Sequence, residues 1–252
     1  MQISRFSEYR EFLKDTVRMR FDFSTSDQSQ GVPMPSPEKT PETDQRIISL
    51  VPPADLAGLF DITLQSAINN RESRRRYTGK PVSESELSYL LWATQGVRQI
   101  IGGRQTLRTV PSAGARHALE TYLAISNVDN LQAGFYRYLP LSHNLVDLKS
   151  DNEATKKVAR AALNQRWMAD AALIFIWATI PYRMEWRYGP AAHRAILIDA
   201  GHVCQNLYLA CEAINAGTCA VAAYDQQRLD QLLELDGVNE FAIYTAAVGK
   251  VT

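Results

Sequence analysis

The run Ala171 to Ile180, Ala-Ala-Leu-Ile-Phe-Ile-Trp-Ala-Thr-Ile, constrains this chain more than any other segment. It is roughly half the ~20 residues that a membrane-spanning helix needs, so it reads as a buried strand. The segments around it set what covers that strand. A helix is expected over Glu153 to Met168, and a longer one follows. Pro190 suits the first turn of the longer helix, Ile196, Val203, Leu207, Cys211 and Ile214 keep one face apolar, and Gly217 ends it. Thr121 to Ile125 alternates as a strand. Phe135 to Leu139 and Leu145 to Leu148, joined through Pro140 and His143-Asn144, read as a hairpin. Thr218 to Ala223 and Phe241 to Val248 are two further strands flanking a short helix at Gln227 to Leu233. Upstream, Ser83 and Glu86 form a capping box and Val82 and Leu87 a hydrophobic staple, predicting a helix from Glu84 past Trp92. Helices interleave with strands, yet a hairpin is present. The expectation is an α+β fold with a mixed central sheet and helices on both faces.

Residues 1–60 differ from the rest. An amphipathic stretch at Phe6 to Val17 gives way to Pro33, Pro35, Pro37, Pro41, Pro52 and Pro53, a spacing that forbids regular structure. A disordered linker is one reading. The apolar Ile47, Ile48, Leu50 and Val51 favour an extended, proline-rich arm lying on a surface, which in a dimer could be the partner's. The globular domain, 61–252, opens near Asp61 with Leu64, Ala67 and Ile68 at helical spacing up to a basic turn.

Several function classes are disfavoured. Lys+Arg and Asp+Glu are both 27, so there is no overall field to draw in nucleic acid or an anionic membrane, and small molecules or a second copy are the expected partners. Arg5, Glu8, Arg10, Glu11 and Lys14 interrupt any secretory apolar region, which points to the cytoplasm. Cys204, Cys211 and Cys219 are odd in number, as suits a reducing compartment, and the first two, seven apart on one helical face, read as core. His117, His143, His193 and His202 match no zinc spacing, so no metal is expected. There is no Gly-x-Gly-x-x-Gly turn and no Walker sequence, so any phosphate is held another way.

Three segments carry candidate chemistry. In Arg71-Glu72-Ser73-Arg74-Arg75-Arg76, guanidinium forks and a hydroxyl sit between two helices, equipment that suits a phosphate monoester; a solvated basic turn is the plain alternative. In Pro111-Ser112-Ala113-Gly114-Ala115-Arg116, small residues before a strand would let a flat ring lie against the backbone, or form an ordinary tight turn. Gly217 to Asp225 is a small-residue strand end that could present a backbone amide to a ring nitrogen, or be simply buried.

Together and in this order, these segments resemble the nitroreductase superfamily, most closely its SagB-type dehydrogenase branch in a stand-alone form. Leu90-Leu91-Trp92-Ala93 with Gln95-Gly96, Trp186-Arg187-Tyr188-Gly189, and Gly201-His202 through Gln205-Asn206-Leu207 to Gly217-Thr218-Cys219 belong to the same pattern, which covers residues 62–250. Ser26-Asp27-Gln28 and the prolines after Gly31 look like the leader of stand-alone members.

The resemblance implies a three-layer α-β-α sandwich, an intertwined homodimer and FMN at its interface. It places Arg71, Ser73 and Arg75 on the FMN phosphate, and Ser112, Ala113 and Gly114 along the flavin ring from the other chain. It puts Gln165, or its neighbour Asn164, at the pyrimidine edge, and an N–H of Ala222 or Ala223 at flavin N5. Lys250 is a weaker phosphate candidate, standing where many relatives continue into a basic tail. Arg187 and Tyr188 correspond to a lysine-tyrosine proton-transfer pair of azoline-forming relatives; arginine does not readily give up its proton, which puts that chemistry in doubt here. Tyr188 would donate a proton or form part of a lid, or merely pack at a helix. The region that docks peptides in thiazole and oxazole synthesis is not seen. The expected activity is ping-pong hydride transfer from NADH or NADPH to a nitroaromatic, quinone or similar small acceptor. The alternatives are a dehydrogenase of azoline peptides or a small metabolite, a flavin-binding protein without turnover, and an interaction protein that binds no flavin.

Overall fold

The computed structural model describes residues 5–252. In chain order, α1 (Ser7–Glu11) and β1 (Ile47–Ser49) lie in the arm, and α2 (Leu64–Asn70), α3 (Glu84–Gln95), β2 (Val97–Ile101) and β3 (Gln105–Arg108) follow. Next come β4 (Leu119–Ile125), β5 (Gly134–Leu139), β6 (Asn144–Ser150), α4 (Ala154–Ala161) and β7 (Leu173–Thr179). The chain closes with α5 (Tyr182–Tyr188), α6 (Ala192–Ala213), β8 (Ala216–Val221), α7 (Gln226–Leu232) and β9 (Phe241–Lys250).

All seven residues of β7 are buried, as its apolar run requires, and period two divides them between two cores. Leu173, Phe175 and Trp177 pack with Leu87, Leu90, Val203 and Leu207 of α3 and α6. Ile174, Ile176 and Ala178 pack with Val158 of α4 and Leu229 of α7. The sheet therefore has helices on both faces, the expected sandwich. Its strand order is β1-β6-β5-β4-β7-β9-β8, and a separate ribbon pairs β2 with β3. Every ladder in it is antiparallel. The parallel pairing is confined to two bridges, Ser73 with Thr218 and Val82 with Val128, the first of them on the edge strand β8.

Local chemistry accounts for the boundaries. Glu86 N–H donates to Ser83 Oγ (3.2 Å) and Ser83 N–H to Glu86 Oε2 (2.9 Å), closing the capping box at the start of α3, with Val82 and Leu87 fully buried beside it. Cys204 and Cys211 fill the core under α6, and burial pushes the Cys204 thiol up to about 12. The helix expected to reach Met168 stops at Ala161, because Leu163 (φ 55°) and Asn164 (φ 61°) turn left-handed and the chain resumes as a 3-10 turn over Arg166–Asp170. The β2–β3 ribbon was not anticipated.

The arm lies along its own chain. Its strand β1 pairs with β6, Ile48 opposite Leu145. Trp186 Nε1–H donates to the Val32 carbonyl (2.8 Å) and Gln28 N–H to that of Trp186 (2.9 Å). The reason is electrostatic as well as apolar. Arg108 and Arg137, each 2% exposed, need acceptors in the interior, and the arm supplies carbonyl oxygens from Pro37 (2.8 Å) and Lys39 (2.6 Å). Glu120 completes the set, accepting from Arg137 (3.3 Å), Arg183 (2.5 Å) and the Lys39 backbone N–H (2.8 Å).

Candidate functional site

The basic turn is held against the sheet edge by main-chain bonds. After α2, Arg74 N–H donates to the Thr218 carbonyl at 3.0 Å, next to the Ser73–Thr218 bridge. Gly217 permits this approach, since a Cβ there would stand 2.6 Å from the Cβ and Cδ of Arg74. Ser73 Oγ lies 3.0 Å from the hydroxyl of Tyr208 on α6, and that hydroxyl accepts from Ala220 N–H at 2.9 Å. Arg71 stacks over the Tyr208 ring (5.4 Å) and Arg75 over Trp167 (5.7 Å). Arg74 pairs with the exposed Glu72 at 3.1 Å, and its Nε is buried without a partner among the described residues. No carboxylate lies within ion-pair distance of Arg71 or Arg75 among those residues. The turn thus keeps two guanidinium groups outside any close ion pair, beside a hydroxyl shared with Tyr208. Such a group suits a dianion.

Gln165 is half-buried at the head of the turn that carries Trp167, so Arg75 and Gln165 are brought to one neighbourhood. Asn164 beside it is exposed. Ala222 and Ala223 are exposed where β8 has ended. Lys250 is drawn elsewhere: its ammonium is taken by Glu86 Oε1 and the Ile214 carbonyl, each at 2.5 Å.

The small-residue turn is fixed from α6. Asp199 accepts from Ala113 N–H (3.3 Å to each oxygen) and from the Ser112 hydroxyl, while His117 N–H donates to Ser112 Oγ (2.9 Å). Burial raises the Asp199 carboxyl despite these bonds. Gly114 is left-handed (φ 59°), and a Cβ on it would lie 2.6 Å from the Tyr188 hydroxyl and 3.2 Å from Arg187 Cδ and Nε. The backbone here is therefore roofed by Tyr188 and Arg187, which joins two segments read separately in the sequence.

The two groups stand apart on one chain. Asp199 serves the small-residue turn and Tyr208 the basic turn, nine residues further along α6, about 14 Å of helix at ~1.5 Å per residue. Tyr208, Asp199 and Trp167 were not singled out from sequence. Asp199 had a legible signal, an acid on the same helical face as Ile196 and Val203. Tyr208 and Trp167 had none, since aromatic residues are ordinary packing.

Comparison with known proteins bears on the family and the fold. The family model described as the Nitroreductase family matches residues 68–250, from within α2 to the end of β9. A protein of Methanocaldococcus jannaschii that carries the nitroreductase name is 32% identical over 77% of this chain and 94% of its own length. The trifolitoxin-processing protein TfxB of Rhizobium leguminosarum is 26% identical over 62% of this chain, which spans only 43% of that relative. A crystal structure from Anabaena variabilis, also under the nitroreductase name, superposes with a TM-score of 0.70 at 24% identity over 85% of this chain and 43% of that one. The likeness to TfxB agrees with the SagB-type branch. With a family match over most of its length, the chain belongs to the nitroreductase family.

Proposed function

We infer that the chain is an FMN-dependent oxidoreductase, acting as a homodimer with NADH or NADPH as donor and a nitroaromatic, quinone or similar small molecule as acceptor. The observation that carries this is the basic turn, where Arg71 and Arg75 flank Ser73 with no carboxylate within ion-pair distance among the described residues. The fit to a phosphate-bearing cofactor rests also on the orphaned Arg74 Nε. Arg71, Ser73 and Arg75 would hold the phosphate, Ser112, Ala113 and Gly114 would line the ring, Gln165 would read its polar edge, and Ala222 or Ala223 would offer an N–H to N5. Bound FMN supplies the two-electron carrier that takes hydride from the donor and gives it to the acceptor in turn.

The chain's own residues bind and orient. Asp199 holds the bed in shape, Tyr208 holds Ser73, and Tyr188 stands over the bed as a proton donor or lid. Lys250 has no part, being paired with Glu86. Two copies are favoured because the phosphate group and the ring bed are held apart on one chain. Leu59, Leu64 and Ile68 (57%, 66% and 58% exposed) on and before α2, and Leu197 and Ile198 (45% and 49%) on α6, also leave an apolar surface that a second copy would cover. Three free cysteines suit a cytoplasmic setting, and no helix among the described residues is long and apolar enough to cross a membrane.

The likeness to TfxB favours a second reading, dehydrogenation of a modified peptide. Arginine at 187 weighs against a proton relay of the lysine kind. The test is the visible spectrum of the purified protein before and after anaerobic NADH and NADPH. Flavin bands near ~450 nm that bleach support the proposal. Their absence after FMN is added refutes it.

A further inference from the structure

Buried arginines in this fold are generally given partners. Arg137 and Arg183 share Glu120, and Arg108 donates to Gln95 Oε1 (2.9 Å) and to the Pro37 carbonyl. Beside Gly114 this pattern breaks. Arg116 is 2% exposed, stacks 5.1 Å over the Trp186 ring, and has a buried Nε with no acceptor among the described residues. Arg187 is half-buried, with Cδ and Nε 3.2 Å from where a Cβ on Gly114 would stand, and lies 5.4 Å over the ring of Tyr188. Neither guanidinium has a carboxylate within ion-pair distance among those residues, and Nη1 of Arg183 is also buried without a partner. The charges feel one another: burial first, then the Arg187 charge, holds Arg116 below the ordinary guanidinium range. Neighbouring cations with unfilled donors and no counter-charge raise one another's free energy, and an anion bound between them would lower it.

We propose that Arg187, backed by Arg116, recognises an anionic oxygen group on the substrate that docks over Gly114, so that this site selects anionic over neutral molecules of the same shape. The proposal rests on the flavin reading for what occurs there, but not for the anion site itself. Arginine suits this role better than lysine, because its charge is permanent and its fork matches a carboxylate or phosphate. The anion has two sources, a carboxylate on the acceptor or a phosphate on the nicotinamide donor.

The test uses the full chain supplied with FMN, as wild type, Arg187→Lys and Arg187→Gln, each first shown to unfold cooperatively. Titration calorimetry with benzoate and benzamide reads recognition without turnover. Benzoate is expected to bind about ten-fold tighter or better to wild type, with the gap partly kept in Arg187→Lys and lost in Arg187→Gln. Turnover then assigns the source. A wild-type preference for 4-nitrobenzoate over nitrobenzene in kcat/KM that Arg187→Gln abolishes places the anion on the acceptor. A KM for NADPH that rises about ten-fold in Arg187→Gln, with reduced nicotinamide riboside unaffected, places it on the donor. Equal binding of benzoate and benzamide, with no charge-dependent preference in either substrate, overturns the proposal. Calorimetry needs no electron flow, so a protein that binds benzoate selectively but never takes up FMN refutes the flavin reading alone.

Discussion

Replacing Gly114 by alanine tests the bed and its roof together. Two penalties arise, from different causes. The left-handed backbone (φ 59°, ψ 20°) disfavours any residue with a Cβ, by about 1 kcal/mol. The new Cβ also stands 2.6 Å from the Tyr188 hydroxyl and 3.2 Å from Arg187 Cδ and Nε, so the tip of Tyr188 must move, adding about 1–2 kcal/mol. The sum, about 2–3 kcal/mol, corresponds to a fall in Tm of about 5–10 °C for a chain of this size. Tyr188→Phe separates the two causes. It removes the atom that clashes and leaves the backbone penalty, so in the Gly114→Ala background it should restore about 1–2 kcal/mol, although alone it restores nothing. Urea and thermal unfolding of the four proteins, at fixed protein and FMN concentration, completes the cycle. Strict additivity would refute the placement of Tyr188 on Gly114. A loss below about 0.5 kcal/mol in the single variant would refute the strained turn.

Glu120→Gln should destabilise by about 3–5 kcal/mol in urea unfolding, because it leaves Arg137 and Arg183 charged and buried without their carboxylate; near-normal stability would mean that the arm's carbonyls suffice. His117 is held neutral, pushed down to about 3 by burial and then by the Arg108 charge. Its stabilising contribution is therefore complete above the unfolded value near ~6.5 and is lost as pH falls from there toward 3, about 2 kcal/mol of it by pH 5. His117→Gln should lose correspondingly less stability than wild type between pH 7 and pH 5, and equal losses would contradict the assignment. Tyr208→Phe strips Ala220 N–H of its acceptor and Ser73 of its partner, which predicts about 1–2 kcal/mol of lost stability and weaker retention of FMN by fluorescence titration; unchanged retention would remove Tyr208 from the phosphate group.

What was legible in the sequence follows the range of the forces involved. The Ser83–Glu86 box and the β5–β6 hairpin are decided within a few residues, and the alternate burial of β7 follows from its own composition, so all three could be read. The left-handed pair Leu163-Asn164 could not, because apolar Leu163 continues the helical pattern while the chain turns to start the segment that carries Trp167. The β2–β3 ribbon left a local trace, Gly102-Gly103, but its strands carry exposed Ile100 and Ile101 and no clean alternation. The course of the arm is set by unmet donors on Arg108 and Arg137, which lie far away in sequence. The site was legible as segments, through resemblance, but not as geometry. That Tyr188 roofs Gly114, and that Asp199 and Tyr208 hold the two halves in place, are contacts between distant parts of the chain.

The docking of the arm has a consequence for when this protein can finish folding. Lys39 donates its backbone N–H to Glu120, 81 positions further on, and its ammonium to Glu240, 201 positions further on, at 2.7 Å. In synthesis the arm leaves the ribosome well before Glu240 does, and loops of that span are slow to close. Throughout synthesis, Arg108 and Arg137 must remain hydrated or find other acceptors until the arm settles. The arm is thus made before the partner that seats it, a latch whose counterpart at Glu240 arrives only with β9.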